Sequence, residues 1–429
     1  MKLSRIGRIS MALVVSVAMG LGMTACGGGT IGFMWVLGTQ YNQIAGFKVD
    51  NYTGNLTEMP HQPFTSGGAN PVSLVVKPGG RYLYVVNKGV TPTSGNTSGD
   101  QHCGTGGGSG IAQFSIGGDG VLTFQQCFQS QGSTPVWVTM DSTGSFLYVL
   151  DQYAPGTDCT AAAPVNCHGD ITVFSVANDT GRLTLVPNQQ VKNSDGTQLT
   201  YFPVGNTPTM MKVAGGGCLF TLNSGDQTIF PYTVGSGGQL TLPTNTTITT
   251  GATRLTSINA SGTNVYLTDA APTADSSGGR ILPYTVGTGC ALNTQTGGPV
   301  NNLPQTSNPV FTLFVPGSTS DYLYVANQST TNSNAPAFST LSAFSIDRTS
   351  GKLQPVPDPG NNPYPVGAGP VCIVEDPSNQ YIYTSNNVDG TVTGKNLDKA
   401  TGQLSNLRRG ATFTATGLAT CLTVSGNVS

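Results

Sequence analysis

One phrase recurs six times in this 429-residue chain: Leu83-Tyr84-Val85-Val86-Asn87, Leu147-Tyr148-Val149-Leu150-Asp151, Leu219-Phe220-Thr221-Leu222-Asn223, Val265-Tyr266-Leu267-Thr268-Asp269, Leu323-Tyr324-Val325-Ala326-Asn327 and Ile382-Tyr383-Thr384-Ser385-Asn386. A degenerate seventh copy reads Met34-Trp35-Val36-Leu37-Gly38. A β-rich phrase closed by Asn or Asp and repeated at intervals of tens of residues marks a repeat architecture. Each copy sits in the same surroundings. An apolar strand opening on Pro precedes it, as in Pro71-Val72-Ser73-Leu74-Val75-Val76, and a Gly- or Pro-bearing turn separates the two. After a variable loop comes a strand that alternates apolar and polar residues, such as Ile171-Thr172-Val173-Phe174-Ser175-Val176. A turn with Gly then leads to a fourth strand, as in Thr180-Gly181-Arg182-Leu183-Thr184-Leu185.

Four antiparallel strands per unit predict a propeller blade. The openings at Pro71, Pro135, Pro208, Leu255, Pro309 and Pro370 lie roughly 47 to 73 residues apart, against about 40–50 for common blades. The excess falls in the loops between second and third strands. The segment from Phe33 to Pro60 supplies only strands two to four of a blade, and Leu418–Val424 reads as an orphan first strand. Joining them predicts an all-β, seven-bladed propeller over 33–429, closed by a C-terminal strand, with no long sheet edge exposed.

The first 25 residues read as an export signal. Lys2, Arg5 and Arg8 precede an uncharged apolar stretch from Met11 to Met23. Met23-Thr24-Ala25-Cys26 is similar to a bacterial lipobox, which makes Cys26 the expected lipidation site and 26–32 a glycine-rich tether. The expected location is the bacterial cell envelope, with the membrane as partner through the lipid. Only 9% of residues are charged and the formal net charge is −2, so no basic footprint for nucleic acid is present.

Of nine cysteines, eight remain after Cys26. An even number in an exported chain predicts disulfides. Blade topology pairs them. Cys103 and Cys127 lie on the loop face of one blade, Cys159 and Cys167 share one loop, Cys218 and Cys290 meet on the opposite face from neighbouring blades, and Cys372 and Cys421 begin adjacent first strands.

The unit Pro-x-x-apolar, turn, Leu-Tyr-Val-x-Asn, then Phe-Ser-Ile-Asp-x-x-x-Gly-x-Leu resembles the lactonase-type seven-bladed propellers. These include the propeller-form 6-phosphogluconolactonases and the Tyr-Val-Thr-Asn repeat propellers. The resemblance spans Phe33 to Val424. It implies a polar site at the start of first strands, built from Pro-His, Pro-Arg-His and Asn-Glu. The matching places here read Pro135-Val136-Trp137, Pro208-Thr209-Met210 and Leu222-Asn223-Ser224, without the His, Arg or Glu. Lactone opening needs a base for water and a donor for the oxyanion. No catalytic residue is therefore assigned.

Two further constellations bear on function. The repeated Asn87, Asp151, Asn223, Asp269, Asn327 and Asn386 could line one mouth of the channel and face a ligand. The structural alternative is that each ends its strand by bonding nearby backbone groups, and a residue repeated in nearly every blade favours that reading. His102 and His168, with Asp100, Asp158 and Asp170, could form an N/O metal site, but solvated loop histidines are the simpler reading, and neither metal nor cofactor is expected. The leading expectation is binding or scaffolding of an unknown protein or carbohydrate through the long loops. The alternative is hydrolysis of a sugar lactone.

Overall fold

The second strand of each blade has neighbours on both faces, which is why its sequence is nearly continuously apolar. In Tyr82–Asn87, residues Leu83, Tyr84, Val85 and Val86 are all fully buried. Leu83 and Val85 enter one inter-blade core, and Tyr84 and Val86 enter the next. The repeat is thus the hub between successive apolar layers, each such side chain contributing about 1.5–3 kcal/mol.

The computed structural model describes residues 29–89, 103, 108–156, 167–192, 195–243, 248–270, 279–303, 307–329 and 339–426. Cys26 and the predicted signal and lipobox lie outside the described residues. Seven antiparallel sheets form the ring. Their innermost strands are Ala419–Gly426, Pro71–Val76, Ser133–Met140, Pro208–Ala214, Leu255–Ser261, Ser307–Val315 and Pro370–Glu375, for blades 1 to 7. Blade 1 is composite. Ala419–Gly426 pairs with Thr30–Gly38, which continues to Gln43–Asp50 and Leu56–Glu58. The closure is as expected, although this strand begins at Thr30, inside the predicted tether, because Thr30 is in register with Asp50.

One feature was not expected. Outside blade 2, the outer strand is split, and its second part pairs again with the third strand, as in Leu353–Pro355 and Tyr364–Pro365 against Thr340–Ile346. Residues that cannot continue a ladder lie between the parts: Pro60 and Pro63, Pro187, Pro243, Pro299, Pro357 and Pro359, and Gly410. Blade 2 lacks such a breaker, and its outer strand Leu122–Phe128 is continuous.

The blades are joined by a repeated hydrogen bond. The aromatic residue of the repeat donates to the carbonyl of the turn glycine in the next blade. Trp35 Nε1 reaches Gly120 O at 3.1 Å, Tyr84 Oη reaches Gly181 O at 2.5 Å, and Tyr266 Oη reaches Gly351 O at 3.0 Å. Tyr324 Oη reaches Gly402 O at 2.8 Å, and Tyr383 Oη reaches Gly54 O at 2.6 Å. The turn position requires glycine. Gly402 has φ +74°, and a Cβ there would stand 2.4 Å from the Tyr322 ring.

Two predicted disulfides are present: Cys103–Cys127 within blade 2 and Cys218–Cys290 between blades 4 and 5, with Cα–Cα distances of 5.4 and 5.7 Å. Cys167 is disulfide-bonded, and Cys159 lies outside the described residues. The expectation for the fourth pair is corrected. Cys372 and Cys421 are buried free thiols. Their hydrogen bond, followed by burial, pushes the Cys421 thiol well above its ordinary range, so the thiolate that would attack to form a disulfide is scarce.

The buried Tyr148 hydroxyl has no hydrogen-bond partner. This separates two otherwise identical substitutions. Tyr383→Phe leaves the Gly54 carbonyl without its donor and should cost about 1–2 kcal/mol in urea unfolding. Tyr148→Phe should be neutral or stabilising, and equal losses at both positions would contradict the assignment.

Candidate functional site

The six Asn and Asp residues that could have formed a ligand-facing ring do not face the channel or solvent. Asn87, Asp151, Asn223, Asp269, Asn327 and Asn386 are each 0% exposed. The asparagines bond their surroundings. Asn87 Nδ2 donates to Ser66 O at 3.0 Å, Asn223 Nδ2 to Thr228 O at 3.3 Å, Asn327 Nδ2 to Leu303 O at 3.0 Å, and Asn386 Nδ2 to Thr391 Oγ1 at 3.0 Å. This is the strand-ending role of such side chains.

The two aspartates differ. Asp269 is opposite Arg280 in register, and Arg280 Nη2 stands 2.5 Å from its Oδ2. Asp151 is opposite Asp170, also fully buried. Ser130 Oγ donates to Asp151 Oδ1 at 2.6 Å, and Thr172 Oγ1 lies 3.3 Å from Asp151 Oδ2 and 3.5 Å from Asp170 Oδ2. Burial pushes the Asp151 carboxyl up to about 7. Burial, reinforced by the Asp151 charge, also pushes Asp170 well above the usual carboxylate range.

The channel is built by the innermost strands, and each of these carries a register irregularity within its first few residues. The shifts fall between Pro71 and Ser73, Pro208 and Met210, Leu255 and Ser257, Pro309 and Phe311, and Pro370 and Cys372, with equivalents at Pro135–Trp137 and Ala419–Leu422. A bulge re-aims the side chain it carries. The bulged positions are Val72, Val136, Thr209, Thr256, Val310, Val371 and Thr420, so this ring contains no titratable group. It includes Val136 and Thr209, two of the three places where the family resemblance implies His or Arg; the third is Met210, next to the ring.

Trp137 of blade 3 meets Phe311 of blade 6, with ring centroids 6.2 Å apart. These blades are not neighbours in the ring, so the contact crosses the channel. Phe311 also packs against the cores of blades 1, 5 and 7. An aromatic bridge thus occupies the axis one residue beyond the Val/Thr ring. Further along the strand lies Lys212, whose pKa is lowered by burial. Side chains of one blade also seal the next blade's opening carbonyl: Thr39 Oγ1 to Pro71 O at 3.2 Å, Thr256 Oγ1 to Pro309 O at 2.7 Å, and Gln328 Nε2 to Pro370 O at 3.2 Å.

Of the candidate metal constellation, only His168 and Asp170 are among the described residues, and they do not come together. His168 is exposed while Asp170 is fully buried, and His102, Asp100 and Asp158 lie outside the described residues. Among the described residues no three His, Cys, Asp or Glu side chains converge. Sequence reasoning singled out Trp137 but missed Phe311, because a contact across a channel leaves no local trace. It also placed Asp170 beside His168 rather than opposite Asp151.

Residues 31–162 match the family model described as lactonase, 7-bladed beta-propeller. No curated protein matches the sequence. Among solved structures, the periplasmic gluconolactonase PpgL of Pseudomonas aeruginosa superposes with a TM-score of 0.65 at 16% identity, covering 93% of this chain and 100% of that one. A candidate 6-phosphogluconolactonase from Bacteroides fragilis gives 0.64 at 18% identity, covering 92% and 98%. Kuenenia stuttgartiensis hydrazine synthase gives 0.52 at 14% identity, covering 88% and 98%. Likeness at this identity speaks for the fold, which hosts unrelated activities.

A double-mutant cycle tests the aromatic bridge. Trp137→Ala and Phe311→Ala should each cost about 2–3 kcal/mol in urea unfolding. Their coupling should be about 0.5–1.5 kcal/mol. Strict additivity would mean that the two rings do not meet across the channel.

Proposed function

We propose that this chain, a seven-bladed β-propeller of the lactonase type, is a binding or scaffolding propeller of the cell envelope rather than a hydrolase. One observation carries the reading. The starts of the seven innermost strands, where the resemblance places a base and an oxyanion donor, carry Val or Thr at their bulges, and Trp137 meets Phe311 across the channel. Among the described residues, the seven bulge positions themselves offer a hydrolytic water neither a group to take its proton nor a cation to hold the developing charge.

Binding is then assigned to the loops between second and third strands. Their sequences run through 88–109 and 330–339, rich in Gly, Ser, Thr and Asn, and through 154–167, rich in Ala. They leave the ring on one face, because every second strand ends there. Such loops on a rigid frame suit recognition of a protein or carbohydrate. Cys26 would hold that frame at a membrane surface through its lipid.

The lactonase reading is favoured by the family match over 31–162. The two readings separate in one assay. Incubated with 6-phosphogluconolactone or gluconolactone, the purified protein should leave the rate of ring opening at its buffer value. Saturable hydrolysis that disappears on mutating a group at the channel mouth would establish the enzyme instead. The anchor is tested separately: the wild type should fractionate with membranes, and Cys26→Ala should release it. Equal distribution of the two forms would remove the lipid from this reading.

A further inference from the structure

The position facing the repeat's terminal Asn or Asp across the ladder differs among blades in a telling way. Opposite Asn87, Asn223, Asn327 and Asn386 stand Gly110, Thr228, Thr340 and Thr391, all neutral. Opposite Asp269 stands Arg280, which neutralises it at 2.5 Å. Blade 3 puts an acid opposite an acid, Asp151 against Asp170, and both are 0% exposed. Among the described residues no Lys, Arg or His makes an ion pair with either. Two buried carboxylates without a counter-charge cannot both stay ionised, so this site needs either a proton or a cation from outside the chain.

The surrounding donors favour a cation. Ser130 Oγ lies 2.6 Å from Asp151 Oδ1, and Thr172 Oγ1 lies between the two carboxyl groups at 3.3 and 3.5 Å. Asp170 Oδ1 is buried and has no hydrogen-bond donor at all, so one oxygen of the pair is desolvated with nothing in return. Gly132 lets the backbone close over this place. A Cβ there would stand 2.0 Å from Asp170 Oδ1 and 2.6 Å from the Tyr153 carbonyl oxygen. Two carboxylates, two hydroxyls and a carbonyl therefore gather in one spot, where the nitrogen the contacts bring in, the Gly132 backbone N–H, donates to Asp151, so that every atom free to bind a cation is an oxygen. That is the donor set of a hard cation, and its two negative charges match a divalent one.

We propose that Asp151 and Asp170 form a binding site for a divalent, oxygen-preferring cation of calcium's size, set between the second and third strands of blade 3. The bound ion does in blade 3 what Arg280 does in blade 5. It joins two strands beneath the loop face and fixes the base of the 154–167 loop, which springs from them. Calcium fits better than magnesium, because its longer and more variable bonds tolerate an irregular set of protein oxygens.

The test uses the full chain, stripped with a chelator and exchanged into chelator-free buffer near neutral pH. Calcium chloride at millimolar concentration should raise the melting temperature by on the order of 3 °C, and magnesium should do less. Asp170→Asn should abolish the calcium response. Asp151→Asn provides an independent copy of the test and should fold, because four other blades already carry Asn at that position. If neither variant folds, equilibrium dialysis of the wild type decides: about one calcium per chain supports the site, and none overturns it. A calcium response that persists in both variants would overturn the assignment. So would an Asp170→Asn protein that melts higher than the wild type in chelator while the wild type ignores calcium. That result would make the pair a proton-sharing dyad only.

Discussion

A single hydrogen bond, repeated around the ring, holds the blades in step. The aromatic residue of each repeat donates to the carbonyl of a turn glycine in the next blade, and this is seen at five joints: Trp35 to Gly120, Tyr84 to Gly181, Tyr266 to Gly351, Tyr324 to Gly402 and Tyr383 to Gly54. Both partners are specialised. The donor is buried, so losing its acceptor would leave an unpaired polar group in an apolar layer. The acceptor turn needs a left-handed glycine, and at four of the five joints the aromatic two residues before the donor packs on it, as Tyr381 does on Gly54; at Gly351 that place is held by Asn264. The remaining two joints use other means. Blade 4 has Phe220, which cannot donate, and there the Cys218–Cys290 disulfide spans to the equivalent turn of blade 5. Between blades 3 and 4, Gln239 Nε2 reaches Pro187 O at 2.8 Å while the Tyr148 hydroxyl stays unpaired.

This explains what could be read from the sequence. The repeat, its seven-fold count, the composite blade and the Cys103–Cys127 and Cys218–Cys290 pairs follow from local patterns and from the face each strand end must occupy. The role of the repeat's Tyr does not, since its partner lies 78 to 97 residues away at three joints and 329 away at the closure. The asparagines looked available because each closes a strand on the loop face. The third dimension buries them beneath the segment that leads into their own blade's first strand, as Gly68 lies over Asn87 and Gly205 over Asn223. The fate of Cys372 and Cys421 was likewise beyond topology, which brings two thiols together but does not decide their ionisation.

The candidate site was legible mainly through what it lacks. The positions that resemblance reserves for two His, an Arg and a Glu hold Val136, Met210, Thr209 and Ser224, and of these Val136 and Thr209 belong to a ring of bulges that is Val or Thr throughout. The positive content came from contacts between distant blades. Phe311 closes on Trp137 from the far side of the channel. Asp170 completes a pair whose other member looked like one more copy of a structural residue. In a repeat protein the informative positions are those where one copy breaks the pattern, and a break shows its meaning only beside its spatial neighbours.

The composite blade bears on how such a chain comes to be made. Thr30–Gly38 must wait for Ala419–Gly426, so the second strand of the first blade emerges from the ribosome with one edge unpaired and stays so until nearly everything else has followed. Six blades can condense as they appear, each on its predecessor. The first cannot be finished by any local event. An open apolar edge through the whole of synthesis invites pairing with another chain. A holding factor, or a chain kept extended until it is complete, would be as much a requirement of this architecture as any residue within it.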